Sequence, residues 1–317
     1  MTDVVVLNHA VHGIPASECV DALRDRLDDR TVALAESARA ERDLVPDAEV
    51  IVGRDLSADL LDRATELRLF ACTSAGTDRL DMEAFRDRGV AVTSASGVHG
   101  PNIAEHVLGW ILMITRRLDE GIRRQQRGEW SHFQAFGELR GSRVCVVGLG
   151  AIGSAVVERL SGFDVETVGV RYTPEKGGPT DRVYGFDEID EALVGTDFLV
   201  IACPLTETTE GLIGTKELAA LPADGVVINI ARGPIVDTDA LVTALRKSDL
   251  HAAALDVTDP EPLPADHPLW SLHNAYITAH VSGYTPHYLE RVADILARNL
   301  DRVNTSGWDA DLENRVD

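Results

Sequence analysis

An α/β architecture of two doubly wound units is predicted by three features of the chain: its length, an alternation of short β-branched runs with segments of helical period, and a restart of that alternation midway. The chain has 317 residues, about twice a typical domain of ~150, so each half can bury a core of its own. An apolar content of 44% supplies the material.

The first series of strands is VVVLN (4–8), EVIVG (49–53), LRLFAC (67–72) and VAV (90–92), with helical stretches such as SECVDALRDRLDD (17–29) and MEAFRDRG (82–89) between them. Strands separated by helices read as a parallel sheet. Residues 97–128 are expected to form one long helix, with Asn102 as its N-cap and Glu105 completing a capping-box-like pair. From residue 143 a second series follows: RVCVVG, VETVGV, DFLVIAC, GVVINI, HAAALDV and AYITAH. The amphipathic segment 286–304 has no partner in that series and is expected to return to the first domain. The predicted division is therefore 1–100 plus 285–317 for one domain and 101–284 for the other.

Composition narrows the function. The formal charge is −22, from 52 acids against 30 bases, a surface that repels nucleic acid and anionic membranes. Only Lys176, Lys216 and Lys247 are lysines; acid enrichment with so few lysines is what a protein working in molar salt is expected to show. The apolar run WILMI at 110–114 falls far short of the roughly 18 residues of a spanning helix, and the opening MTDVVVLNHA lacks the basic and apolar regions of a secretory signal, so a cytoplasmic protein is expected. Cys19, Cys72, Cys145 and Cys203 form no CxxC pair and sit in or beside apolar segments, which reads as free buried thiols. The ten histidines form no HExxH or close His/Cys cluster, so no metal site is expected.

RVCVVGLGAIGSAVVERL is a strand, a GxGxxG turn and a helix. Gly148 permits the tight turn, Gly150 lets the backbone approach a pyrophosphate, and Gly153 allows the helix to pack closely, with Leu149, Ala151 and Ile152 completing the loop. The next strand ends at Arg171, eighteen residues after Gly153. A carboxylate there accepts the ribose hydroxyls of NAD and repels a 2′-phosphate, whereas a guanidinium forms a charge-assisted pair with that phosphate. NADP(H) is thus expected over NAD(H), with Thr173 as a hydroxyl donor and Tyr172 bordering the adenine. In molar salt the Debye length is only ~3 Å, and a contact pair of this kind survives where a diffuse patch does not.

At these motifs the chain resembles the D-isomer-specific 2-hydroxyacid dehydrogenases. The segments that carry the resemblance are TSAGTDRLD (73–81), VVGLGAIG (146–153), ACPLTETTEGLI (202–213), INIARGPIVDTDALVTAL (228–245), and ALDVTDPEPLP (254–264) followed by ITAHVSGYT (277–285). The resemblance implies a Rossmann cofactor domain and a flavodoxin-like substrate domain completed by the C-terminal helix. It also implies a homodimer formed through the 102–127 segment, and reduction of a small-molecule 2-oxo acid to a D-2-hydroxy acid. The family's catalytic arginine, glutamate and histidine match Arg232, Glu261 and His280. An arginine fork suits a carboxylate beside a carbonyl; His280 would give the carbonyl oxygen its proton, and Glu261 would favour the imidazolium.

By the same resemblance Ser74, Ala75 and Gly76 form a backbone nest for the substrate carboxylate. Cys203, Pro204, Thr209, Ala231 and Asp256 line the cofactor, Asp256 near the nicotinamide amide. Side-chain recognition is expected from loops near Asn8, His9, Arg54 and Trp130. Many members carry proline where this chain has Ala279. The alternatives are an NAD-dependent glyoxylate/hydroxypyruvate or phosphoglycerate-type dehydrogenase, and a nucleotide-sensing, corepressor-like protein without significant turnover; a formate dehydrogenase would carry glutamine in place of Glu261.

Overall fold

Two parallel sheets carry the chain in a computed structural model that describes residues 2–11, 13–77 and 79–316. The chain divides into two compact units, 1–99 with 284–317, and 100–283.

In the first unit the strands are β1 (Val4–Leu7), β2 (Val32–Ala35), β3 (Val50–Gly53), β4 (Leu69–Cys72) and β5 (Ala91–Thr93), in the spatial order β2-β1-β3-β4-β5. All pairings between them are parallel. The helices between them are α1 (Ala16–Arg24), α2 (Ala38–Leu44), α3 (Ala58–Arg63) and α4 (Met82–Asp87). Three begin where a side chain satisfies an orphan N–H: Ser37 Oγ accepts from Ala40 N at 3.2 Å, Ser57 Oγ from Leu60 N at 3.4 Å and Asp81 Oδ1 from Ala84 N at 3.0 Å. Strand β2 was not among the expected strands.

The second unit begins with two helices, α5 (Gly100–Thr115) and α6 (Leu118–Gln126), instead of one long helix. Arg117 interrupts it with a left-handed backbone, φ 51°. Asp119 explains the break: it is buried and accepts from Arg123 Nη1 and Tyr276 OH, both at 2.8 Å, so the chain re-enters helix with that carboxylate turned inward. Asn102 is likewise not a cap. It lies inside α5, and its Nδ2 donates to the Ser282 carbonyl at 2.7 Å, while Glu105 pairs with Arg159.

There follow β6 (Arg143–Val147), α7 (Ala151–Leu160), β7 (Glu166–Val170), β8 (Arg182–Tyr184), α8 (Ile189–Leu193), β9 (Phe198–Ile201), α9 (Thr215–Ala220), β10 (Val226–Asn229), α10 (Thr238–Lys247), β11 (Ala252–Leu255) and β12 (Ala275–Ile277). The sheet order is β12-β11-β10-β9-β6-β7-β8, so the direction of winding reverses between β6 and β9, where open α/β sheets hold their ligands. Its six expected strands are present, and β8 was not foreseen. Near-continuous apolar strands such as FLVI and VVIN are buried throughout, as a sheet covered on both faces requires.

The last helix, α11 (Tyr288–Ser306), belongs to the first unit, where Leu289, Val292, Leu296 and Leu300 join the core that α1 and β1 also line. Its Tyr288 is buried and donates to the Thr73 carbonyl at 2.6 Å. All four cysteines are free and buried. Among the described residues no helix is long and apolar enough to cross a membrane, and no group of three or more His, Cys, Asp or Glu is placed to hold a metal ion.

Candidate active site

The phosphate turn lies at the carboxyl end of β6, and its three glycines do different work. Gly148 has φ +98°, and a Cβ there would stand 2.5 Å from the Cys203 nitrogen, so its backbone seats directly on the start of the segment after β9. A Cβ on Gly153 would fall on the Gly148 carbonyl oxygen, which is why α7 can begin so close to the strand. Gly150, the N-cap of α7, has open space where its Cβ would be. An unobstructed backbone at a helix N-terminus is the cradle a pyrophosphate fits. Leu149 is buried, its side chain packed where Gly169 and Gly178 leave room; Ala151 is exposed and Ile152 half-buried at the start of α7.

Arg171 follows β7. Its amide donates to the Tyr184 carbonyl at 3.0 Å and its Nη1 to the Gly177 carbonyl at 2.6 Å, which fixes one edge of the guanidinium against the 174–178 loop. Tyr172 is 79% exposed, its ring edge-on to Phe186 at 6.4 Å, and Thr173 is half-buried. On the other side of the turn Cys203 is buried, its thiol pushed up to about 11 by burial, and Pro204 is exposed. Thr209 is turned inward: its hydroxyl lies 2.6 Å from the Pro204 carbonyl and accepts from Thr206 N at 2.8 Å. It shapes the 204–209 loop.

The ends of β10, β11 and β12 bring a second group of residues together. After β10, buried Asn229 accepts from Ala231 N and donates to the Arg232 carbonyl, both at 3.0 Å, which pins the turn that carries Arg232. Arg232 itself is exposed, with Nη1 donating to the Ala231 carbonyl at 2.7 Å. Next to it Gly233 is packed so tightly on Thr258 and Asp259 that a Cβ would stand 2.6 Å from the Asp259 nitrogen and overlap the Thr258 carbonyl. The arginine turn and the loop after β11 are thereby locked together.

That loop carries Glu261, whose two oxygens are both engaged: Oε1 accepts from Thr258 N at 3.1 Å and Oε2 lies 3.1 Å from His280 Nδ1. His280, after β12, has a left-handed backbone with φ 53° and a half-exposed ring. With Nδ1 facing the carboxylate, Nε2 is the nitrogen left to meet a substrate. A cavity of about 510 Å³ opens here, lined by Asp256, Glu261, Leu263, Trp270, Ile277 and His280 among others. Leu263, Trp270 and Ile277 contribute apolar side chains beside the histidine.

Asp256 is 1% exposed. Burial alone would raise its carboxyl, but hydrogen bonds from the Ser282 and Thr278 side chains and from the Val281 and Ser282 amides outweigh that and hold it below the ordinary carboxylate range. The residues that the sequence reading missed are those that hold others in place: Asn229, Gly233 and Thr278. Each lies inside or beside a motif already singled out, and only long-range partners reveal it.

In the first unit the carboxyl ends of β1, β3 and β4 gather the other expected residues. The Arg54 amide donates to His9 Nδ1 at 3.2 Å, and Asn8 Nδ2 to the Glu36 carbonyl at 3.3 Å. Ser74 is held through its amide to Cys72 Sγ at 3.4 Å and its carbonyl to Ala95 N at 3.0 Å. Ala75 and Gly76 are exposed, and among the described residues no hydrogen bond takes their N–H groups. Trp130, in the second unit, is 99% exposed.

A doubly wound unit with a glycine phosphate turn at its winding reversal is a nicotinamide-dinucleotide-binding domain, and the comparisons refine that class. The family model described as "D-isomer specific 2-hydroxyacid dehydrogenase, NAD binding domain" matches residues 108–282. A glyoxylate reductase of Thermofilum pendens is 35% identical over 295 residues, covering 90% of this chain and 86% of that protein. A D-3-phosphoglycerate dehydrogenase of Methanocaldococcus jannaschii is 32% identical over 264 residues, 82% of this chain but 50% of that longer protein. Among solved structures, a D-isomer-specific 2-hydroxyacid dehydrogenase of Xanthobacter autotrophicus Py2, in complex with NADPH and MES, superposes with a TM-score of 0.77 at 27% identity over 100% of this chain and 98% of that one. The chain belongs to the D-isomer-specific 2-hydroxyacid dehydrogenases.

Proposed function

We propose that the protein reduces 2-oxo acids to D-2-hydroxy acids with NADPH. The observation that carries the reading is the Glu261–His280 pair, 3.1 Å apart, at the same sheet edge as the phosphate turn and locked through Thr258 and Gly233 to Arg232. NADPH, when bound, supplies hydride to the carbonyl carbon. Arg232 holds the substrate's carboxylate and carbonyl as a fork. His280, its Nδ1 held by the adjacent Glu261 carboxylate, gives the Nε2 proton to the carbonyl oxygen as charge develops there. The apolar side chains of half-buried Leu263 and Ile277 and of exposed Trp270 line one wall of the cavity and leave little there to hold water beside that transfer. The exposed N–H groups of Ala75 and Gly76, with Ser74, suit a carboxylate and are assigned to the substrate's acid end.

The NADPH preference rests on Arg171, whose fixed guanidinium stands where a ribose-binding carboxylate would otherwise be, and the NADPH bound by the Xanthobacter relative agrees with it. The cytoplasmic location and the homodimer formed through the α5–α6 region remain part of the reading. So does work in molar salt, for which a Tm that rises with KCl is the expected sign and a Tm indifferent to salt the contrary one. The deciding experiment measures kcat/KM for NADPH and NADH with glyoxylate, hydroxypyruvate and larger 2-oxo acids. A strong NADPH preference with turnover supports the proposal. An NADH preference reduces Arg171 to a surface residue, and cofactor binding with no turnover of any acid replaces the reductase by a nucleotide sensor.

A further inference from the structure

The loop carrying His280 is gripped by one buried residue. Asp256 accepts from three consecutive amides: its main-chain carbonyl from His280 N at 2.8 Å, Oδ1 from Val281 N at 2.9 Å and Oδ2 from Ser282 N at 3.0 Å. This grip matters because His280 is a non-glycine residue in left-handed backbone, a conformation that persists only where the surroundings over-determine it. Asp256 Oδ1 also receives the Thr278 hydroxyl at 2.6 Å. Thr278 Oγ1 lies in turn 3.2 Å from His106 Nε2 on α5.

The proton directions follow from counting. Thr278 has one hydroxyl hydrogen, and a carboxylate that also faces two amides can only accept it. Toward His106 the oxygen must then accept, so His106 is the Nε2–H tautomer. The ring is half-buried, stands edge-on to Trp110 at 5.7 Å, and burial holds it neutral to lower pH than an exposed histidine. The result is a one-way chain, His106 Nε2–H to Thr278 Oγ–H to Asp256 to the amides of 280–282, from a helix to the loop of the proton donor.

We propose that His106 and Thr278 are positioning residues: through Asp256 they hold the 278–282 loop in the conformation that keeps the His280 ring against Glu261. The inference rests on the reading of His280 as the proton donor. Neither side chain needs to touch substrate or cofactor. A buried carboxylate that takes the Thr278 hydroxyl and two amides has one geometry available, and removing the hydroxyl leaves Oδ1 to the Val281 amide alone and loosens the grip. Ala279, the residue between Thr278 and His280, adds no rigidity of its own, so the chain of hydrogen bonds fixes what the backbone leaves loose.

The test is a set of single and double substitutions assayed with NADPH and the best 2-oxo acid. Thr278→Val, which keeps the shape and removes the hydroxyl, is expected to lower kcat roughly 10–100-fold, the scale of an ångström-level misplacement. Substrate KM and cofactor Kd should stay within about threefold, and Thr278→Ser should restore the rate. In a His280→Ala background Thr278→Val should cost nothing more, because the residue it positions is gone. A Thr278→Val enzyme within twofold of the parent, failure of serine to rescue, or an equal loss in the His280→Ala background each overturns the proposal. Should Thr278→Val fail to fold, His106→Leu against His106→Gln, which keeps a donor near the Nε2 position, reads the same chain. A His280→Ala enzyme that turns over like the parent refutes the catalytic reading itself, and that result is obtained without touching Thr278 or His106.

Discussion

Replacing Gly233 by alanine isolates the packing that joins the arginine turn to the glutamate loop. The new methyl would begin 2.6 Å from the Asp259 nitrogen and overlap the Thr258 carbonyl, against the 3.4 Å at which ordinary contact starts. Both neighbours are backbone, so neither can swing aside as a side chain would; the two segments must separate by on the order of 1 Å, and a misplacement of that size costs roughly 10²-fold. Glu261 moves with Thr258, whose amide it accepts at 3.1 Å. The expected result is therefore a kcat/KM loss of about 100-fold, with overpacking destabilisation of about 1–3 kcal/mol. In a chain of 317 residues that lowers Tm by roughly 1.5–4.5 °C. Cofactor affinity, which depends on the turn after β6, should hold within about threefold. Steady-state kinetics, a thermal melt and a fluorescence titration with NADPH read the three quantities. Unchanged kcat/KM and Tm would refute the claim that these loops are locked through Gly233.

Arg171→Ala removes a charge-assisted contact worth ~1.5–3 kcal/mol, so kcat/KM for NADPH should fall roughly 10–150-fold while that for NADH changes little; equal losses with both cofactors would count against phosphate recognition. The native protein at pH 8 should resist thiol reagents, because burial pushes Cys203 up to about 11 and Cys19 and Cys145 up to about 12, leaving almost no thiolate; rapid labelling before unfolding would contradict this. Burial lowers His106 and His251 below the ordinary 6.5, and hydrogen bonding holds Asp256 below 3.8. In each case the unfolded chain takes up protons first, so stability is full above the unfolded value and drains as pH falls through the folded one. Tm should thus begin to decline below pH 6.5, less steeply in His106→Gln, and fall again below 3.8. A Tm that rises between pH 7 and pH 5 would show that these groups are not held as described.

The parts of the fold legible in the sequence are those whose signal is local. Strand β9 is apolar along its whole length, and β6 and β10 are so apart from Arg143 at the start of one and Asn229 at the end of the other, because both faces are covered, and the glycines of 148–153 sit where a strand gives way to a helix. Strand β8 was invisible because it is a three-residue edge with Arg182 exposed, so it reads as loop. The interruption at Arg117 carries no proline or glycine; its cause is the partnership of Asp119 with Tyr276, 157 residues away. Asn102 misled for the same reason, its side chain being used by Ser282 across 180 residues. At the candidate site the residue types that could react stood out, whereas Gly233, Asn229 and Thr278 act only through what they touch.

The composite make-up of the first unit has a consequence for synthesis. Residues 1–99 leave the ribosome with β1 to β5 complete, but the helix that covers Val4, Val20 and Leu23 is α11, which is made only after all of 100–283. The second unit can therefore close while the first still displays a naked apolar face, and the nascent chain carries that face for more than half its translation. Unfolded intermediates of this kind are where aggregation starts.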